Sequence, residues 1–538
     1  MRHCGVVWLG LWLACRGLAA EPVESVSPMP LPPPERTELV RSNVEAPDTL
    51  DPARMRSGFA AETILSDLFE GLVGSGPHGE PVPAQAERWE MSDDGLVWRF
   101  FLRPGLTWSD GSSLKASDFV YAWRRLIDPL VASPSASLVL TAGINNASSI
   151  YGGALEVNNL GVEAEGDRIV RVTLEHPVPH LLSIISLAPF APVPADLVQK
   201  QGGEWARPGK LIGNGAFQLQ EWTPQGEITL LRNPHYWGKT RLERVTYMTG
   251  LSTAREYRLY REGRLQLTER VPASLLHTLR EEQPPRLWHG AQLGTYLYIF
   301  NLSRPEVADV RVRRALSLAL DREVLTQNVT GQGEPIAWSM LPDLTDYDSP
   351  LPAAAAWSRD VRLAKARDLL AAAGFSPDHP LRLSITFHRS DTHHKLADAI
   401  AGMWAALGVE ARVKELEWDA YEAAKSSGEF VIARSSLFGD YADPYAMLGQ
   451  FRCRDPQNES GYCDEQFDAL LVQAQNTLDV RQRGRLYQQA EMILNEAVPA
   501  IPLYHYTQAR LIDPTLRGLP LDGIHTVLPS RDLYFSQE

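Results

Sequence analysis

The sequence predicts an α/β protein in which strands and helices alternate, and three observations lead there. Short runs that switch between apolar and polar residues, the period of a half-buried strand, recur from Glu38–Ser42 to Val409–Leu416. Between them lie longer stretches with apolar residues three and four apart that stop at a glycine, as helices do. The two kinds interleave along the chain and no internal repeat is found. With 538 residues, 44% of them hydrophobic, the chain has material for about three domains.

The N-terminus reads as an export leader. Arg2 and His3 precede the apolar run Val6 to Ala14, and the small residues Gly17, Ala19 and Ala20 precede Glu21. That run is far short of the roughly 20 residues that span a bilayer, so residues 1–20 are expected to be a cleaved signal peptide. A lipid anchor at Cys15 is the alternative, although Trp12 stands where a lipobox carries leucine. Residues 21–36 hold Pro22, Pro28, Pro30, Pro32, Pro33 and Pro34 and read as an extended linker.

The folded part begins near Thr37. Strands are expected at Glu38–Ser42, Val97–Leu102, Ile169–Leu174, Ile228–Arg232, Thr295–Asn301, Leu381–Phe387 and Val409–Leu416. Helices are expected at Val361–Ala373, stopped by Gly374, and at Lys395–Ala406, stopped before Gly408. The run from Leu381 to Leu416 is then a β-α-β unit within a lobe built around its own sheet. Ser117-Asp118 starts a further helix with Phe119, Val120 and Trp123 inward, Tyr236 and Trp237 cap a core, and Asp321-Arg322 reads as an ion pair.

The formal charge of −14 becomes more negative once the leader, with Arg2 and Arg16, is removed, which argues against nucleic acid as a partner. Beyond the leader only Cys453 and Cys463 remain, and in an oxidising compartment they are expected to form one local disulfide. No G-x-S-x-G elbow, H-E-x-x-H or C-x-x-C is present, so nothing points to a hydrolase. Gly203 to Lys210 has only a loose likeness to a phosphate loop, with Leu211 in place of Ser/Thr, and Gly213-Asn214-Gly215 lacks the third glycine of a dinucleotide fingerprint. His388, His393 and His394 are not at a helical metal-ligand spacing; no metal or cofactor is expected.

Four segments together resemble the extracytoplasmic family 5 solute-binding proteins: FLRPGLTWSDGSSLKASDFVYAWRRLIDP (101–129), GNGAFQLQEWTPQGEITLLRNPHYWG (213–238), DVRVRRALSLALDRE (309–323) and FDALL (467–471). SDLFEGL (66–72), DTHHKLADAI (391–400) and GDYADP (439–444) add a likeness to the oligopeptide binders. The resemblance implies a periplasmic binding protein-like fold of two lobes with mixed sheets, an extra third domain and a two-strand hinge. Domain I would comprise 37–66, 193–293 and 507–538, domain II 67–192 and domain III 294–506, with chain crossings near Leu293-Gly294 and Tyr504 to Gln508. It also implies a non-catalytic, monomeric periplasmic component of an ABC transporter. Such a protein would bind short peptides and deliver them to an inner-membrane permease with cytoplasmic ATPase subunits. Cell-wall peptide binding, another solute such as a nickel chelate, and peptide sensing remain the alternatives, with an exported hydrolase behind them.

A zwitterionic peptide buried between lobes needs fixed counter-charges. By the resemblance, Asp440 takes the α-ammonium, and Arg434, Lys425 and His393 are basic groups at different depths for the carboxylate. Gly439 and the residues around Phe59 and Ser436 would hold peptide backbone, as a sheet edge does. Asn458 could add an amide, and Trp418, Tyr506 and Arg510 would wall the side-chain pockets; a core role is equally open for the two aromatics. The chain departs from the peptide binders at Leu437-Phe438, where they carry Trp-Cys, and at Gly294 opposite, so an inter-strand disulfide and an aromatic wall are expected to be lost. Ser135 and Ile299 stand where a pocket tyrosine and an acidic residue are found.

Overall fold

A computed structural model describes residues 36–537 apart from 57–58, 77–78, 224–225, 283–285, 345–346, 521–523 and 525–526. The expected leader, Cys15 and the linker as far as residue 35 lie outside the described residues. Among the described residues the longer strands fall into three sheets.

β1 (Glu38–Asn43) begins the first sheet. The chain leaves it through α1 (Phe59–Leu68) to build a second, antiparallel sheet from β2 (Ala86–Met91), β3 (Val97–Leu102), β4 (Val162–Ala164) and β5 (Ile169–Thr173), in the order β2-β3-β5-β4. α2 (Ala116–Ile127) packs on it. Asp118 accepts a hydrogen bond from the Lys115 amide at 2.8 Å and so caps this helix, while Phe119, Val120 and Trp123 are buried as their spacing requires. The chain then returns with β6 (Phe217–Trp222), β7 (Glu227–Arg232) and β8 (Arg244–Thr249) to complete the order β1-β8-β7-β6. β1 and β8 are parallel. A parallel pair needs a crossover, and here everything between them, the second sheet included, is that crossover.

The third sheet takes β9 (Leu287–Phe300), β10 (Arg382–His388), β11 (Glu410–Leu416), β12 (Ile432–Phe438) and β13 (Ala500–Leu511) in the order β11-β10-β12-β9-β13. α3 (Arg359–Ala372) ends at Gly374, whose φ of +92° suits glycine. β10, α4 (Asp391–Ala405) and β11 form the expected β-α-β unit, parallel from Arg382↔Glu410 to His388↔Leu416. Leu396, Ala397, Ile400 and Trp404 bury one face of α4. α5 (Trp418–Ser426) follows.

The first two sheets share one core, which includes Phe100, Trp123, Trp205 and Tyr247. The third sheet has a core on each face, one around Phe300, Phe387 and Trp404 and the other around Leu297, Leu437 and Tyr487. β9 and β13 run between these bodies: Leu511 lies in a small cluster with Leu251, Leu259 and Tyr260, whereas Tyr296 and Tyr504 lie with Trp404. Their pairing slips between Ala291 and Thr295, so the break in the ladder falls at the Leu293-Gly294 crossing. β9 starts at Leu287, eight residues before the strand expected from alternation. Gly290 and the slip interrupt the period there, but pairing with β13 continues.

Two expectations need correction or completion. Asp321 and Arg322 do not pair with each other. Asp321 caps the Val324 amide and pairs with Arg359 at 3.2 Å, whereas the buried Arg322 donates to the Ala337 and Pro502 carbonyls, both at 2.9 Å. Adjacent side chains at a helix start point apart, so each found its own partner. Tyr236 does pack against the first core, whereas Trp237 is 40% exposed; both donate to the buried Glu70, which also accepts from Gln85 and Arg531.

Cys453 and Cys463 are bonded. Replacing both by alanine should lower stability by roughly 2–3 kcal/mol, the entropy of closing so short a loop. Urea unfolding measures it, and an unchanged midpoint would show that the bond constrains nothing.

Candidate functional site

The wall of the site is one face of the third sheet. Directly opposite pairs on β9 and β12 are Tyr298↔Arg434, Tyr296↔Ser436 and Gly294↔Phe438, and the two-residue period of a strand puts all six on the same side. Arg434 is the one cation among them. Its Nη2 donates to the Tyr506 hydroxyl on β13 at 2.8 Å, and its guanidinium lies 4.8 Å over the Tyr296 ring. Among the described residues its buried Nε has no hydrogen-bond partner and no carboxylate contacts it.

Basic and aromatic groups from the end of β10 and from α4 and α5 pack near it. The Tyr296 hydroxyl is 3.1 Å from Nδ1 of His393 on α4. His393 meets His388 edge to face at 4.6 Å, and His388 meets Trp418 at 4.9 Å and Tyr421 at 5.3 Å, both on α5. Tyr421 in turn donates to the Arg434 carbonyl. Burial, then Arg434 and His388, push the His393 imidazole down to about 3, and burial and Arg434 lower His388 as well. Trp418 is 56% exposed and therefore not a core residue. His394 turns away, to Glu415 at 3.0 Å and Asp398 at 3.3 Å.

Asp440 stands six residues beyond Arg434, just past the end of β12. Gly439 lets the chain pass there: a Cβ would meet Leu293 Cδ2 at 2.7 Å, and its amide donates to the Leu293 carbonyl at 3.0 Å. Both residues line a cavity of about 540 Å³ that also takes Glu62 and Ser66 of α1 and Arg531. The cavity therefore lies between the body holding α1 and the third sheet, and it stops short of Arg434. Burial raises the Asp440 carboxyl, although its side chain reaches solvent. Burial and Asp440 push Glu62 up to about 7. Among the described residues neither Glu62 nor Asp440 has an ion-pair partner; Arg531 is held by Glu70 at 3.0 Å and Asp532 at 3.5 Å.

The remaining expected residues are distributed as follows. Ser436 lies on the wall and Phe59 opens α1. Lys425 is near, but its ammonium is held by Glu459 at 2.9 Å and Glu422 at 3.4 Å. Asn458 builds the disulfide loop, donating to the Phe451, Arg452 and Tyr462 carbonyls. Arg510 is 1% exposed and bonded to Glu269 and Gln508, so in this conformation it offers nothing to a ligand. Sequence reasoning missed Glu62, Tyr296, Tyr421 and His388 as members of this surface. The only local signal was the period-two spacing of Tyr296 and Tyr298 within the expected strand Thr295–Asn301.

Residues 80–459 match the bacterial extracellular solute-binding proteins, family 5. The chain belongs to this family. It is 38% identical over 504 residues to the periplasmic murein peptide-binding protein MppA of Escherichia coli, covering 93% of each chain. An unliganded open form of MppA superposes with a TM-score of 0.84 at 37% identity, over 93% of this chain and 98% of that one. The probable deoxycholate-binding periplasmic protein YgiS of Escherichia coli is 36% identical, over 97% of this chain and 98% of its own. The periplasmic oligopeptide-binding protein OppA of Salmonella typhimurium is 37% identical, over 91% and 92%.

One expected departure from the family's peptide binders is corrected by the structure. The aromatic wall is not lost, because Phe438 stacks on Tyr506 at 4.8 Å. Gly294 makes room for it: a Cβ there would collide with the Phe438 ring. A ring set into a glycine notch thus joins the two strands where a disulfide was expected in relatives.

Proposed function

We propose that this protein binds short peptides in the cleft between its two bodies, with the ammonium at Asp440 and the carboxylate at Arg434, and delivers them to an ABC permease. One observation carries the reading. Among the described residues Arg434 is a guanidinium with no carboxylate partner, and Asp440, just past the end of the same strand, is a carboxylate with no cation. A ligand with an anion at one end and a cation at the other supplies both. Six residues of extended chain span at most about 20 Å, a distance that a short extended peptide can bridge.

Under this reading domains I and II close on domain III about β9 and β13, and ligand contacts to both bodies favour the closed form. Glu62 supports it, since it approaches Asp440 from the opposite body. The names of MppA and OppA favour peptides, and the periplasm as the place of action. A steroid acid, as the name of YgiS suggests for that protein, has no cation to satisfy Asp440.

The test is to incubate the purified protein with a peptide mixture, separate the complex and identify its contents by mass spectrometry. Intact peptides are expected. Hydrolysed ones, or none, overturn the proposal. Arg434→Ala should further discriminate by peptide length, weakening one length class at least tenfold more than the others (about 1.4 kcal/mol). Equal loss across lengths, measured by calorimetry, would mean that the carboxylate is held elsewhere.

A further inference from the structure

We propose that His388 is a further ligand-binding residue, which with Arg434 and His393 receives a second carboxylate, so that this chain favours peptides with an acidic C-terminal residue. The inference rests on the peptide reading above and adds a substrate class to it.

The argument is one of charge and open valences. A peptide's own carboxylate needs one counter-charge, and Arg434 provides it. Yet the same basin holds two more protonatable rings, with His388 packed against His393, Trp418 and Tyr421. Among the described residues Nδ1 of His388 is buried without a hydrogen-bond partner, as is Nε of Arg434. The charged groups that act on His388 are Arg434 from β12 and Glu422 and Lys425 from α5. Those on His393 are Arg434 and His388. Glu422 is shared with Lys425, which Glu459 also holds, so these acids are engaged among themselves. Among the described residues no acidic side chain forms an ion pair with His388 or His393.

In the free protein the rings are therefore neutral at pH 7, held down by burial and by the guanidinium. A second carboxylate arriving within about 4–6 Å favours the imidazolium, and the ring takes up a proton from solvent as the ligand binds. Affinity for such a ligand must then rise as pH falls from the ring's bound-state pKa towards its free-state pKa, by up to about tenfold per pH unit for each proton taken up. The groups at the ammonium end, Glu62 and Asp440, also titrate, but they meet every peptide alike.

The probes are Ala-Ala-Glu and its uncharged isostere Ala-Ala-Gln, titrated calorimetrically between about pH 7.5 and about pH 5.5. The ratio of their affinities is expected to move towards the acidic peptide by about threefold to tenfold as pH falls. In His388→Gln the dependence of that ratio on pH should be weaker than in the wild type. A flat ratio in the wild type, or an unchanged slope in the variant, overturns the proposal. Should the variant fail to fold, titrating the wild type in buffers of different ionisation enthalpy gives the proton uptake directly. Greater uptake with Ala-Ala-Glu supports the inference and equal uptake overturns it. If neither peptide binds, the peptide reading falls and this one with it; binding of both without linkage removes this one alone.

Discussion

Asp440→Ala is expected to weaken peptides with a free amino terminus by about 2–5 kcal/mol, roughly thirtyfold to several-thousandfold. The cost arises because the ammonium, once enclosed in the closed cleft, would lose its acceptor and remain an uncompensated charge. Glu62, on the opposite side of the same cavity, offsets part of the loss, and Asp440 no longer holds its pKa up in the variant. The remaining binding should therefore improve with rising pH as Glu62 ionises, at a pH below the about 7 that it has beside Asp440 in the wild type. N-acetylated peptides provide the control. They should bind the wild type poorly and be indifferent to the substitution. Equal calorimetric affinity of wild type and variant for Ala-Ala-Ala would take Asp440 out of the site.

Glu269→Ala is expected to cost about 3–5 kcal/mol of stability, because it strands a guanidinium inside the protein. Arg510 is 1% exposed on β13, where that strand leaves the third sheet, and both Glu269 oxygens accept from it; Gln508 Oε1 adds bonds at 2.7 and 3.2 Å but no charge. The double variant Glu269→Ala/Arg510→Met should recover much of the loss, since removing both charges leaves none unpaired. Denaturant unfolding measures both. A loss under about 1 kcal/mol in the single variant would mean that water or Gln508 compensates Arg510.

The local elements were legible in the residues themselves. Val97–Leu102 is observed with the expected ends, and β10, α4 and β11 form the expected parallel unit within three or four residues at each boundary. Alternation and glycine stops are short-range signals, and they report which face each element buries. β9 shows where this fails. Its first half lost its period at Gly290, and only pairing with β13, more than 200 residues away, makes it a strand.

The site divides in the same way. Asp440 and Arg434 could be named from the chain because they sit in segments that resemble a family, and the structure puts them on one strand and its end. Arg510 and Asn458 came from the same resemblance, yet their partners, Glu269 and three loop carbonyls, are visible only in three dimensions. Phe438 read as a loss, because a single sequence shows that a Trp-Cys pair is missing but not that a ring fills the notch over Gly294. Glu62 and His388 lie roughly 380 and 46 residues from the groups they act with, and no local pattern joins them.

By itself, then, the sequence determined the α/β class, the strand and helix periods and the family, all properties of neighbouring residues or ordered segments. Only the tertiary structure decided which charges are already satisfied. Whether a buried cation is a binding group or a strut depends on whether a carboxylate from elsewhere in the chain has reached it first. Glu269 has reached Arg510, and among the described residues no acid has reached Arg434.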